Sequence, residues 1–167
     1  MSKRTSCIRT SRIGLPLILL SCALLFAWIP AAAQESSSSL EQLEIALWPE
    51  YDQPAMLVIY RFRISSDIQL PAVVELPIPA DTGAPHAVAW QDSDAGLFDA
   101  SYELIAGDPW TLVQIEMEQS RLGQLEFYAE ISFEGAQRAF EFKWPGTIGL
   151  GGFSYEVQQP IGSVGLT

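Results

Sequence analysis

Leu125-Glu126-Phe127-Tyr128-Ala129-Glu130-Ile131-Ser132-Phe133-Glu134 is the stretch that decides the fold. Leu125, Phe127, Ala129, Ile131 and Phe133 alternate with Glu126, Tyr128, Glu130, Ser132 and Glu134. Successive side chains of a strand point to opposite faces, so a period of two describes a strand with one buried and one wet face. Gly135-Ala136 breaks the pattern, and from Ala139 to Trp144 it resumes, with Phe140, Phe142 and Trp144 alternating with Glu141 and Lys143. The pair predicts a hairpin ended by Pro145-Gly146, with Lys143 meeting acidic cross-strand neighbours on the outer face.

Upstream, Met56 to Ile64 sets Val58, Tyr60, Phe62 and Ile64 on one face and Arg61 and Arg63 on the other. Leu43 to Trp48, Leu70 to Ile78, Ala87 to Trp90, Ser101 to Ile105, Thr111 to Met117 and Phe153 to Val157 complete the strand-like segments. No segment carries an amphipathic helical pattern of ten residues or more. About nine short strands separated by Pro, Gly and Asp predict an all-β domain, an antiparallel β-sandwich of the immunoglobulin-like kind. The cysteine–tryptophan–cysteine signature of antibody domains is missing. Pro71, Pro77 and Pro79 place an edge strand there, because proline cannot donate to a ladder.

The N-terminus sets where this domain works. Lys3, Arg4, Arg9 and Arg12 precede an apolar run from Ile13 to Ile29, which ends at Pro30-Ala31-Ala32-Ala33-Gln34. That is the order of a secretory signal peptide over 1–33, with Ala31 and Ala33 at the positions a signal peptidase reads. Two alternatives stay open: an uncleaved anchor, since about 20 apolar residues span a bilayer, and lipidation at Cys22. All three export the domain, to the periplasm, the cell surface or the medium. Residues 34–39 form a Ser-rich linker, 40–160 the domain, and 161–167 a tail or the start of a longer continuation.

Removing the signal removes Cys7 and Cys22 and changes the charge. Of 9 basic residues, 5 remain against 20 acidic ones, so the net charge moves from −11 to −15. Such a chain repels nucleic acid and anionic lipid, because their phosphates carry the same sign. Contact with membrane is expected only through an uncleaved N-terminal segment. Basic partners or cations would be attracted. With 49% apolar residues the chain is not of disordered composition, and a domain this long needs no disulfide to fold.

The remaining 134 residues hold one histidine, His86, and one lysine, Lys143. A serine triad would have to use His86 in a turn after Ala84-Pro85, and no Gly-x-Ser-x-Gly elbow exists. A structural zinc site wants four nitrogen or sulfur ligands and has one imidazole available. Asp92, Asp94 and Asp99 place three carboxylates in one loop, oxygen ligands of the kind calcium takes, yet Gly96 falls at the fifth position where an EF-hand has its glycine at the sixth. The simpler account is an Asp/Gly turn. Paired carboxylates of a hydrolase are the remote alternative, since acids are too common here for any pair to be informative. No cofactor is expected, and the chain is not expected to be an enzyme.

Aromatic recognition has more substance. Trp48-Pro49-Glu50-Tyr51-Asp52, Trp90-Gln91-Asp92 and Asp108-Pro109-Trp110 each set a tryptophan beside a carboxylate near a strand end. Sugars stack on flat rings while acids accept bonds from their hydroxyls, so Trp48, Tyr51, Trp90 and Trp110 are candidate ligand-binding residues. Against this, the same rings can cap the ends of the core.

The stretches Ile45 to Asp52, Glu75-Leu76-Pro77-Ile78-Pro79 and Tyr155 to Pro160 resemble parts of uncharacterised exported bacterial proteins with an N-terminal β-sandwich domain. The resemblance implies no known activity; it implies that further domains, with or without a membrane anchor, follow in relatives. The expectation is a non-catalytic, extracytoplasmic β-sandwich module for protein interaction or cell-envelope structure, with an envelope or extracellular protein as partner. A carbohydrate-binding module that takes a glycan is the alternative.

Overall fold

The computed structural model describes residues 36–37, 39–92, 96–160, 162 and 164. The expected signal peptide over 1–33, part of the expected linker and most of residues 161–167 lie outside the described residues. Among the described residues no helix is long and apolar enough to cross a membrane.

The chain is all-β. In order come β1 (Ser36–Ser37), β2 (Ser39–Pro49), β3 (Met56–Ile64), β4 (Ala72–Pro79), β5 (Ala87–Asp92), β6 (Gly96–Asp99) and β7 (Tyr102–Ile105). β8 (Trp110–Met117), β9 (Leu122–Ala129), β10 (Ser132–Glu134), β11 (Gln137–Ala139), β12 (Gly149–Leu150) and β13 (Phe153–Val157) follow. One short 3-10 turn, Ala80–Thr82, leaves the end of β4. One sheet runs β1-β4-β8-β7, and the other runs β12-β2-β3-β9-β5-β6, with β13 also lying along β2. The β10–β11 hairpin stands apart from both. Pairing is antiparallel except where β1 meets β4 and where β12 and β13 meet β2.

Alternation along these strands builds the core. Leu43 and Ile45 of β2, Val58, Tyr60, Phe62 and Ile64 of β3, and Leu125 and Phe127 of β9 are buried from one sheet. Val74, Leu76 and Ile78 of β4 and Val113, Ile115 and Met117 of β8 are buried from the other. All belong to one apolar cluster, so the two sheets close over a common core in a sandwich-like arrangement. Each such side chain contributes about 1.5–3 kcal/mol relative to exposure, against the conformational entropy lost on ordering.

β3 and β9 approach closely at one glycine. Gly123 lies opposite Phe62 in the ladder, and a Cβ there would fall 2.2 Å from the tip of the Phe62 ring. The absence of a side chain at 123 is what lets the ring lie flat across the neighbouring strand.

Two expectations change. The ten residues from Leu125 to Glu134 are not one strand: β9 ends at Ala129 and β10 begins at Ser132. The buried face persists to Ile131 but not to Phe133, which is 47% exposed. Ala139 to Trp144 does not form the second arm of a long hairpin. Only Ala139 belongs to a strand, and Phe140, Phe142 and Trp144 lean half-buried on the core without a ladder. Their alternation reflects one-sided burial alone. Lys143 therefore meets Glu141 of its own segment, at 3.1 Å, instead of a cross-strand acid. The proline edge is met in part. β1 lies outside β4 and pairs with Val73 and Val74 near Pro71, and among the described residues only the Pro77 and Pro79 end of β4 has no strand on that side.

Candidate functional site

Strand register brings four separate segments to one end of the domain. β2 ends at Pro49 opposite Met56, which opposes Ala129 at the end of β9. In the other sheet Pro79 at the end of β4 opposes Trp110 at the start of β8. Beyond Pro79 the chain turns tightly: Ala80 N–H donates to the Pro109 carbonyl at 2.9 Å, and the Thr82 hydroxyl donates to the Pro79 carbonyl at 2.7 Å. Gly107 is required by close approach, since a Cβ there would lie 2.5 Å from the Trp110 carbonyl oxygen.

Between these turns and the segment Ala139 to Lys143 opens a cleft of about 810 Å3. Its lining includes four acids, Asp81, Asp108, Glu130 and Glu141, and the aromatic residues Trp110, Phe127, Tyr128, Phe140 and Phe142. Among the described residues Lys143 is its one cation, and its ammonium already faces Glu141. The volume falls within the range of ordinary ligand clefts. The charge balance around it is negative, and field lines concentrate in such a recess.

A second aromatic group borders this end on the outer face of the larger sheet. Trp48, Leu57 and Tyr128 are in register across β2, β3 and β9, and Trp48 and Tyr128 cover the buried Ala46, Leu57 and Ile59. Tyr51 packs against Trp48 with ring centroids 5.1 Å apart, and His86 meets Tyr128 edge-on at 5.0 Å. The Tyr128 hydroxyl donates to Asp52, with oxygens at 2.8 and 2.9 Å. Desolvation, and then the Asp52 carboxylate, push the Tyr128 hydroxyl up to about 12, so it remains a donor at any physiological pH.

The tryptophans named from sequence do not form one platform. Trp48, Tyr51 and Trp110 share the cleft end, Trp48 on the outer face and Trp110 in the cleft. Trp90 opposes Gly123, five residues along β9 from Tyr128 and so about 16 Å away. It stacks on Phe98 at 4.7 Å and 18° and borders a separate recess of about 120 Å3 with Asp99 and Glu116.

The proposed calcium carboxylates are not brought together in what is described. Asp92 opposes Gly96 and Asp99 opposes Ala89, three ladder positions apart, and Asp94 lies outside the described residues. Among the described residues no group of three or more His, Cys, Asp or Glu is placed to hold a metal ion. His86 is exposed against Tyr128, and among the described residues no nucleophile is bonded to it.

Sequence reasoning flagged Asp108-Pro109-Trp110 but not Asp81, Glu130, Glu141, Phe140 or Phe142. Their only signal was an excess of acids near strand ends. Comparison with protein-family models, with curated proteins and with solved structures finds no match to this chain.

Proposed function

We propose that the exported part of the chain is a non-catalytic binding module of the cell envelope, which holds a cationic segment of another envelope or extracellular protein in the cleft beside Trp110. One observation carries this reading: a cleft of about 810 Å3 where, among the described residues, four acids and five aromatic residues form the lining and the one cation is already paired. A lysine or arginine side chain suits such a lining on both counts. Its charge is drawn by the carboxylates, and its stem and head pack on aromatic faces. The −15 charge of the exported chain adds long-range attraction for the same partners.

The architecture we propose is a variant of the immunoglobulin-like sandwich. Taken in chain order as A to G, β2, β3, β4, β5 with β6, β7, β8 and β9 group as A-B-G-D and C-F-E. An immunoglobulin constant domain groups its strands as A-B-E-D and C-F-G. The two share their spatial neighbours and differ by exchange of the fifth and seventh strands. Export rests on the N-terminal order of charge, apolar run and small residues.

A glycan reading keeps one observation in its favour: Tyr51 is 59% exposed beside Trp48 and Asp52, a single stacking position in place of a row. Calorimetric titration of the protein, in the processed form that an expressing cell releases, tests both. Short Lys- and Arg-containing peptides should bind at least about tenfold tighter than neutral analogues, and the joint Asp108→Asn and Glu130→Gln variant should lose about that factor at unchanged melting temperature. Equal affinity in parent and variant overturns the cleft. Oligosaccharide binding that Tyr51→Ala abolishes favours the glycan reading.

A further inference from the structure

We infer that β13 is a self-pairing edge, through which two copies of this chain join their larger sheets across a two-fold axis at Tyr155. The backbone supplies the register. The Gln158 N–H donates to the Leu47 carbonyl at 2.9 Å, and the Gly152 carbonyl accepts from the Leu43 N–H at 3.0 Å. In a parallel ladder a residue directs both of its backbone groups to one side and the next residue directs both to the other. Gly152, Ser154, Glu156 and Gln158 thus serve β2, while Phe153, Tyr155 and Val157 turn their N–H and C=O groups outward. Among the described residues β13 pairs with β2 alone.

An antiparallel pair centred on Tyr155 uses every outward group. Tyr155 bonds to Tyr155 of the second copy through both its N–H and its C=O, and Phe153 bonds to Val157 of the second copy in the same way. The side chains agree with this register. Phe153, Tyr155 and Val157 are in line with Leu43, Ile45 and Leu47, so they project to the core side. Leu43 and Ile45 are fully buried, yet Phe153 is 52%, Tyr155 70% and Val157 46% exposed. The two-fold sets these apolar side chains against one another. On the outer face it sets Ser154 against Glu156 of the second copy, so no like charges meet directly. Glu156 is moreover held by Arg61 at 3.3 Å.

Among the described residues no strand, proline or lysine guards this edge. β4 ends in Pro77 and Pro79, which cannot donate to an incoming strand, whereas β13 contains neither proline nor lysine. A closed two-fold contact is also the commonest form of self-association. A second copy is distinguishable from a basic partner by its salt response. Two acidic copies repel, so screening strengthens their pairing, while it weakens capture of a cationic chain.

Sedimentation of the full chain, in the form the host releases, tests this. A monomer–dimer equilibrium is expected whose dimer fraction rises between about 0.05 and about 0.5 M sodium chloride. Tyr155→Glu and Tyr155→Lys each set like charges across the axis and should weaken self-association by at least about tenfold, while circular dichroism stays that of the parent. Mixing the two variants should restore a one-to-one dimer, which a folding defect cannot do. A parent that remains monomeric at about 100 µM at every salt concentration overturns the inference. So does a dimer that Tyr155→Glu leaves intact, or a mixture that stays monomeric.

Discussion

Gly123→Ala tests the close approach of Phe62 to β9. The added Cβ would lie 2.2 Å from Cζ of Phe62 and 2.7 and 2.8 Å from its two Cε atoms. Carbon atoms in contact prefer about 3.5–4.0 Å, so the ring must retreat by about 1.3 Å or more. Phe62 is only 3% exposed and sits within the main core cluster, so its retreat is resisted on its other sides. Overpacking of this kind costs about 1–3 kcal/mol, and replacing a strand glycine by alanine returns about 0.5–1 kcal/mol of backbone entropy. The overlap is severe, so the net loss should be about 2 kcal/mol, a fall of about 8 °C in melting temperature for a domain of this size. Urea denaturation should report it as a lower midpoint at unchanged slope. Phe62→Leu in the Gly123→Ala background removes the ring that causes the clash. The double variant should therefore be more stable than the sum of the single losses by at least about 1 kcal/mol. A Gly123→Ala protein as stable as the parent, or strict additivity in the double variant, would refute the reasoning.

Among the described residues the buried Tyr60 hydroxyl has no hydrogen-bond partner, and burial holds its pKa well above the usual tyrosine range. Tyr60→Phe should raise stability by about 1 kcal/mol in urea titrations, and a loss of that size would mean the hydroxyl is bonded. Tyr128 should titrate in ultraviolet absorbance near 12, and Asp52→Asn should move it down towards the ordinary value. Because its folded value lies above the unfolded one, its contribution to stability is complete below about pH 10 and disappears as pH climbs through about 12. Arg61 links Glu44 of β2 to Glu156 of β13 on the surface. Arg61→Ala should cost about 1 kcal/mol or less and speed amide exchange at Phe153 to Val157 more than in β8.

Much of the fold was legible because one-sided burial writes a period of two into the sequence. Met56 to Ile64 and Phe153 to Val157 are strands with the boundaries the pattern indicated. The same signal misled at Phe140, Phe142 and Trp144, which bury one face against the core while their backbone joins no ladder. Periodicity reports burial, and pairing has to be found elsewhere. It also ran past the break after Ala129, since Ile131 is still buried although the strand has ended.

The site was much less legible. Asp81, Asp108, Glu130 and Glu141 come from four segments that meet only once β4, β8 and β9 are in register. In a chain with 20 acids no local pattern distinguishes those four. A tryptophan next to a carboxylate in sequence likewise does not reveal its end of the sandwich: Trp110 reaches the cleft, while Trp90 lies at the far end of β9.

Residue-resolved amide shifts during titration with a tri-lysine peptide test the central claim most directly. An acidic chain attracts any polycation, so localisation, rather than affinity alone, separates recognition from general attraction. Saturable shifts are predicted at the Trp110 indole N–H, at Ala80 to Thr82 and at Phe140 to Lys143, with Glu116 and Glu118, which line the recess beside Trp90 at the opposite end, unmoved. Shifts spread evenly over the acidic surface, or centred on Glu116 and Glu118, would contradict it.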